Sequence, residues 1–73
     1  MAKATIASEV AGSVWKILAK EGDTLQEDDT LLILESMKME IPALAPSTGR
    51  VVQLLVAEGE PVREGQALAV LET

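Results

Sequence analysis

The chain has 73 residues, 48% of them hydrophobic, and its 6 Lys+Arg against 12 Asp+Glu leave a formal net charge of −6. That supplies one small core and no second one, and a domain of this size buries only about 60% of its unfolded surface. It contains no Cys and no His, which removes disulfide staples, thiolate metal sites and a Ser/His/Asp triad. A self-sufficient enzyme also needs a pocket of roughly 300 Å³ or more, which so short a chain can hardly enclose. Independent catalysis is not expected. The acidic balance argues against nucleic acid and anionic membrane surfaces as partners. No unbroken apolar run approaches a membrane span, and Met1-Ala2-Lys3 opens no signal-peptide core. A cytoplasmic location is the expectation.

In chain order, strands are predicted over residues 3–8, 13–20, 24–26, 30–36, 39–45, 50–57, 61–63 and 67–72. The sequence repeats itself. Residues 12–35 and 49–72 align at an offset of 37, with Gly12/Gly49, Val14/Val51, Leu18/Leu55, Glu21/Glu58, Gly22/Gly59, Glu27/Glu64, Leu31/Leu68, Leu34/Leu71 and Glu35/Glu72 identical. Each copy starts at a Gly and runs through an apolar, β-branched stretch. It turns at Glu21-Gly22-Asp23 or Glu58-Gly59-Glu60 and ends in an apolar run. Flanking glycines and Pro61 leave too few residues for a typical helix. Strict alternation fails at Val14, Ile17 and Leu18, and again at Val51, Leu54 and Leu55, so a bulge or strong twist is expected in both copies. One such unit cannot cover its own apolar face. Two packed together give a small sandwich or flattened barrel with pseudo-two-fold symmetry.

The copies are joined through Glu35-Ser36-Met37-Lys38-Met39-Glu40, where a tight hairpin centred on Met37-Lys38 is predicted. Two-residue hairpins favour Asn-Gly or Gly-containing pairs because the central residues take φ > 0, and Met and Lys meet a steric cost there. Residues unsuited to the turn point to a role other than the turn. The plain alternative is a solvated lysine with two methionines filling gaps in the core. A hairpin tip supplies neither the burial nor the neighbouring cation that activates a lysine nucleophile. Lys38 is therefore better suited to being acylated by another enzyme.

The segment Ser36-Met37-Lys38-Met39 resembles the attachment motif of biotin carboxyl carrier proteins, within the biotin/lipoyl attachment family. The Glu-Gly-Asp turn, Ala45-Pro46-Ser47-Thr48-Gly49 and Glu58-Gly59-Glu60-Pro61-Val62 match as well, so the resemblance covers essentially residues 1–73 as one biotinyl/lipoyl-attachment domain. It implies an all-β fold: a flattened β-barrel, or barrel-sandwich hybrid, of two four-stranded antiparallel sheets. The repeat halves 12–35 and 49–72 would be joined by a hairpin at 36–39. It also implies biotin in amide linkage to Lys38, Met37 and Met39 as flanks read by the ligase, and Glu35, Ser36 and Glu40 as motif context. The implied partners are a biotin protein ligase, a biotin carboxylase and a carboxyltransferase. Two positions depart from the family pattern, Asp28 where Gly is usual and Ser8-Glu9 where Ala-Pro is frequent. No insertion between Gly12 and Asp23 leaves room for the protruding thumb of some carriers.

Other features have plainer readings. Glu27-Asp28-Asp29 lacks the loop length and distal Glu of a calcium site. Trp15, the only aromatic, is expected to cover the edge of the core rather than to stack a cofactor. Pro42 removes a ladder donor and implies an edge or bulged strand. The alternatives to a biotin carrier are a lipoyl carrier, whose motif is usually of Asp-Lys-Ala type, and an unmodified adaptor domain of the same fold.

Overall fold

The computed structural model describes residues 2–73, and every regular element among them is a strand. These are β1 (Lys3–Ala7), β2 (Gly12–Ile17), β3 (Thr24–Leu25), β4 (Thr30–Ser36), β5 (Met39–Leu44), β6 (Gly49–Leu54), β7 (Pro61–Val62) and β8 (Ala67–Glu72). They form two four-stranded antiparallel sheets, ordered β1-β8-β6-β3 and β5-β4-β2-β7. The sheets face one another without closing, which is a flattened barrel-sandwich. No helix among the described residues is long and apolar enough to cross a membrane.

The two halves are not stacked one upon the other, as packing of two separate units would have it. Within the first half only β2 and β4 pair, while β1 pairs with β8 and β3 with β6. Strands without a partner in their own half gain one from the other half. Each sheet is thus built from both copies, and neither copy has a core of its own.

The offset of 37 governs the register as well as the sequence. The pairs Val14↔Leu34, Lys16↔Ile33 and Ile17↔Leu32 recur as Val51↔Leu71, Gln53↔Val70 and Leu54↔Ala69. The register slips between Val14 and Lys16 and again between Val51 and Gln53, so both copies carry the bulge that broken alternation implies. The equivalence reaches further than the identities do. Lys3↔Glu72 and Ala4↔Leu71 correspond to Glu40↔Glu35 and Ile41↔Leu34, although residues 3–7 and 40–44 share no identity at that offset.

The core is assembled from those identical positions. Val14, Val51, Leu31, Leu68, Leu34 and Leu71 are all fully buried, each contributing about 1.5–3 kcal/mol relative to exposure. Trp15 is not part of it: it stands at the β2 bulge and is 48% exposed. Asp28, in the place of Gly65, keeps the same path, with φ 71° against 84°. Its N–H donates to the Ala45 carbonyl as that of Gly65 donates to Ser8. A short polar side chain tolerates that conformation.

Strands β2 and β6 end at Ile17 and Leu54, earlier than the predicted 20 and 57. Past β7 the Val14 N–H still donates to the Glu60 carbonyl and its carbonyl accepts the Gly59 N–H, and there the backbone pairing on that side of β2 stops. The Glu58 carboxylate instead accepts the Ile17 N–H at 3.0 Å, and Glu21 accepts that of Leu54 at 2.9 Å. Each copy's turn glutamate therefore finishes the other copy's strand. Glu58→Ala and Glu21→Ala should each cost about 1 kcal/mol, the usual net value of such a bond. The Gln variants, which keep an acceptor, should cost less in urea unfolding. Equal losses for Ala and Gln would show that the bonds are immaterial.

Candidate functional site

Strands β4 and β5 stay in register to their ends, with Leu34↔Ile41, Glu35↔Glu40 and Ser36↔Met39 paired. Only Met37 and Lys38 remain to reverse the chain. Both take left-handed conformations, φ 53° and 65°, as a type I′ turn requires of its central residues. Among the described residues they are two of the three non-glycine residues with positive φ, and neither has the short polar side chain that eases it. The strain sits at the tip.

The tip is fully presented to solvent. Met37 is 92% exposed and Met39 63%, the two most exposed large hydrophobic residues among those described, so neither fills a gap in the core. Lys38, Glu35 and Glu40 are exposed too. Among the described residues no carboxylate lies within ion-pair distance of Lys38, the one ion pair being Arg50 with Glu72 at 3.5 Å. Its amine is neither buried nor engaged.

The base of the hairpin is held more firmly. Ser36, half-buried, donates its hydroxyl to the Ala11 carbonyl at 2.8 Å, tying the end of β4 to the loop before β2. Beside it Gly12 lies against the Glu35 backbone with no room for a Cβ. The resemblance offered Ser36 only as motif context, and its anchoring role comes from the loop that folds over it.

The internal two-fold supplies a control for the charges. Where Glu35 and Glu40 stand directly opposite, the other half sets Glu72 opposite Lys3 and beside Arg50. Opposed like charges destabilise a sheet, whereas opposite charges support it. The second half thus holds the favourable arrangement, and the half bearing the hairpin does not.

Nothing around the tip resembles a reaction centre. A depression of about 130 Å³ lies between the edge strands β1 and β5, lined by Ile6, Leu34, Ile41 and Pro42 among others. It does not reach Met37 or Lys38. Among the described residues no three His, Cys, Asp or Glu gather as a metal site would need. Only six residues separate β2 from β3, at 18–23, and no thumb projects there. The arrangement offers an accessible primary amine on a two-residue, apolar-flanked tip, which another protein can engulf.

Comparison with known proteins gives the family. The family model described as "Biotin-requiring enzyme", for biotin/lipoyl domains, matches residues 2–71. The chain belongs to this family. It is 42% identical over 67 residues to the biotin/lipoyl attachment protein of Bacillus subtilis, covering 92% of each chain. To the biotin carboxyl carrier protein of acetyl-CoA carboxylase from Solanum lycopersicum it is 37% identical over 68 residues, 93% of this chain and 97% of the other. The crystal structure of the Kluyveromyces lactis urea carboxylase contains the same fold at a TM-score of 0.92 and 32% identity. That match spans 99% of this chain but 6% of the carboxylase. Within the biotin/lipoyl family this fold therefore occurs both alone and as a small part of a large chain.

Proposed function

We propose that this protein is a biotin carboxyl carrier, with biotin joined by an amide to Nζ of Lys38. The observation that carries the proposal is the Met-Lys-Met tip. In a biotin/lipoyl chain, a lysine flanked by two exposed methionines is held on a strained two-residue turn with its amine unengaged. A lipoyl carrier, with its Asp-Lys-Ala type of motif, would have no use for that pair.

Attachment needs a biotin protein ligase, because the tip offers Lys38 no base of its own. The Lys38 amine attacks the acyl carbon of biotinyl-adenylate, the C–N bond forms as AMP departs, and the ammonium proton passes to a group of the ligase. Met37 and Met39 supply apolar contacts to that enzyme, while Glu35 and Glu40 give the approach a negative rim. Ser36 keeps the base of the hairpin from swinging as the tip is engulfed. Once attached, biotin supplies a ring nitrogen that accepts and gives up a carboxyl group. The chain itself catalyses neither step. It presents Lys38 first to a biotin carboxylase and then to a carboxyltransferase. Its net charge of −6 favours fast, transient encounters with basic surfaces over tight holding.

Intact-mass measurement tests the assignment. Biotin and ATP alone should add nothing, and a biotin protein ligase should add one biotinyl group per chain. Addition by a lipoate ligase, with none by the biotin ligase, would overturn it.

A further inference from the structure

Three features invite a reading that goes further than the carrier assignment. The exposed Leu18 lines an open hollow together with Ile17 and Leu54, with nothing to identify what would cover it. The depression between β1 and β5 opens onto buried Ile6 and Leu34 and likewise shows no occupant. The third is the distribution of sulfur, and it carries an inference.

The chain has 3 Met and no Cys, and two of those methionines flank Lys38. The buried core is Leu, Val, Ile and Ala throughout. Among the described residues, an oxidant that attacks thioethers thus meets Met37 and Met39 at the surface and no sulfur in the packing. Oxidation would alter the tip and spare the fold.

We propose that Met37 and Met39 make the hairpin a peroxide-sensitive gate on the modification of Lys38. In the step, a thioether sulfur attacks the peroxide oxygen and the O–O bond breaks. An S–O bond forms and water leaves, so sulfur loses the two electrons that peroxide gains. The product sulfoxide is polar and chiral, and a sulfoxide reductase reverses it. Met37 should react ahead of Met39, in the order of their exposures of 92% and 63%. A ligase pocket shaped for two apolar thioethers must then desolvate a strong acceptor without a partner for it.

The inference rests on the biotin-carrier assignment, and the experiment separates the two. The purified chain is treated with hydrogen peroxide, catalase removes the excess, and labelling by biotin protein ligase is followed by intact mass. Untreated chain that is never labelled would refute the carrier assignment itself. Where untreated chain is labelled, oxidised chain should be labelled at least about fivefold more slowly, the scale expected for burying an unpaired polar group. Its thermal midpoint should not change. Methionine sulfoxide reductase should restore the rate. The double variant Met37→Leu, Met39→Leu keeps the apolar flanks, Trp15 and Met1, and peroxide should not alter its rate. An unchanged rate for oxidised wild type, a loss the reductase cannot reverse, or an equal loss in the Leu variant would overturn the gate.

Discussion

Lys38→Arg should fold as the wild type does and remain entirely unlabelled by a biotin protein ligase. Arginine keeps the positive charge, a similar length and the same left-handed backbone, so the turn is no worse served. The side chain is exposed and makes no ion pair, and substitutions at such sites usually stay within about 0.5 kcal/mol. What disappears is the acylable amine. Lys3, Lys16 and Lys20 remain as controls inside the same molecule, and all three are exposed. Exposure alone therefore cannot choose among the four lysines. Lys3 and Lys16 lie along strands and Lys20 in the loop after β2, whereas Lys38 alone occupies a two-residue tip between methionines. Labelling that persists in Lys38→Arg, mapped to any of the other three, would show that the ligase does not read the hairpin.

That tip was legible because its chemistry is local. A two-residue connection between apolar strands demands positive φ, and Met37 and Lys38 both adopt it. The bulges were legible for a similar reason, since alternation breaks at Val14 and Val51 whatever the strand pairs with. The exchange of strands between halves was not. Period and propensity describe one strand's faces and say nothing of whether β1 finds β4 or β8. The roles of Glu21 and Glu58 were hidden by the same limit. Each stands in a turn of its own copy, yet its carboxylate serves an amide 33 or 41 positions away. Their identity at offset 37 was the available signal, since a turn needs the following Gly but has no need of that Glu. The equivalence of β1 and β5 left no signal. It resides in backbone pairing, and β5 has diverged to carry Met39, Glu40 and Pro42.

The largest loss of stability is expected at Gly12, a position whose side-chain void serves both the fold and the site. A Cβ there would collide with the Glu35 carbonyl oxygen and press on Ser36 Cβ at 3.2 Å. The obstacle is mainly backbone, so no rotamer change relieves it, and β4 must withdraw from β2. Gly12→Ala should cost about 3 kcal/mol, at the upper end for overpacking, and lower Tm by on the order of 15 °C in a domain this small. Gly49 occupies the equivalent place, but a Cβ there meets Glu72 O at 2.9 Å and the Thr73 side chain at 3.2 Å. A smaller shift accommodates it, so Gly49→Ala should cost less. Gly22, with open space around it and φ 96°, should lose only the strain of a left-handed alanine, about 1 kcal/mol. The order Gly12, Gly49, Gly22 in thermal unfolding is the test. Function adds a second reading at Gly12, because Glu35 and Ser36 carry the hairpin. Conditions that keep Gly12→Ala folded should still show slower labelling of Lys38 than in Gly49→Ala. Equal rates for the two folded variants would mean that the approach of β4 to β2 sets stability alone and leaves the tip's presentation untouched.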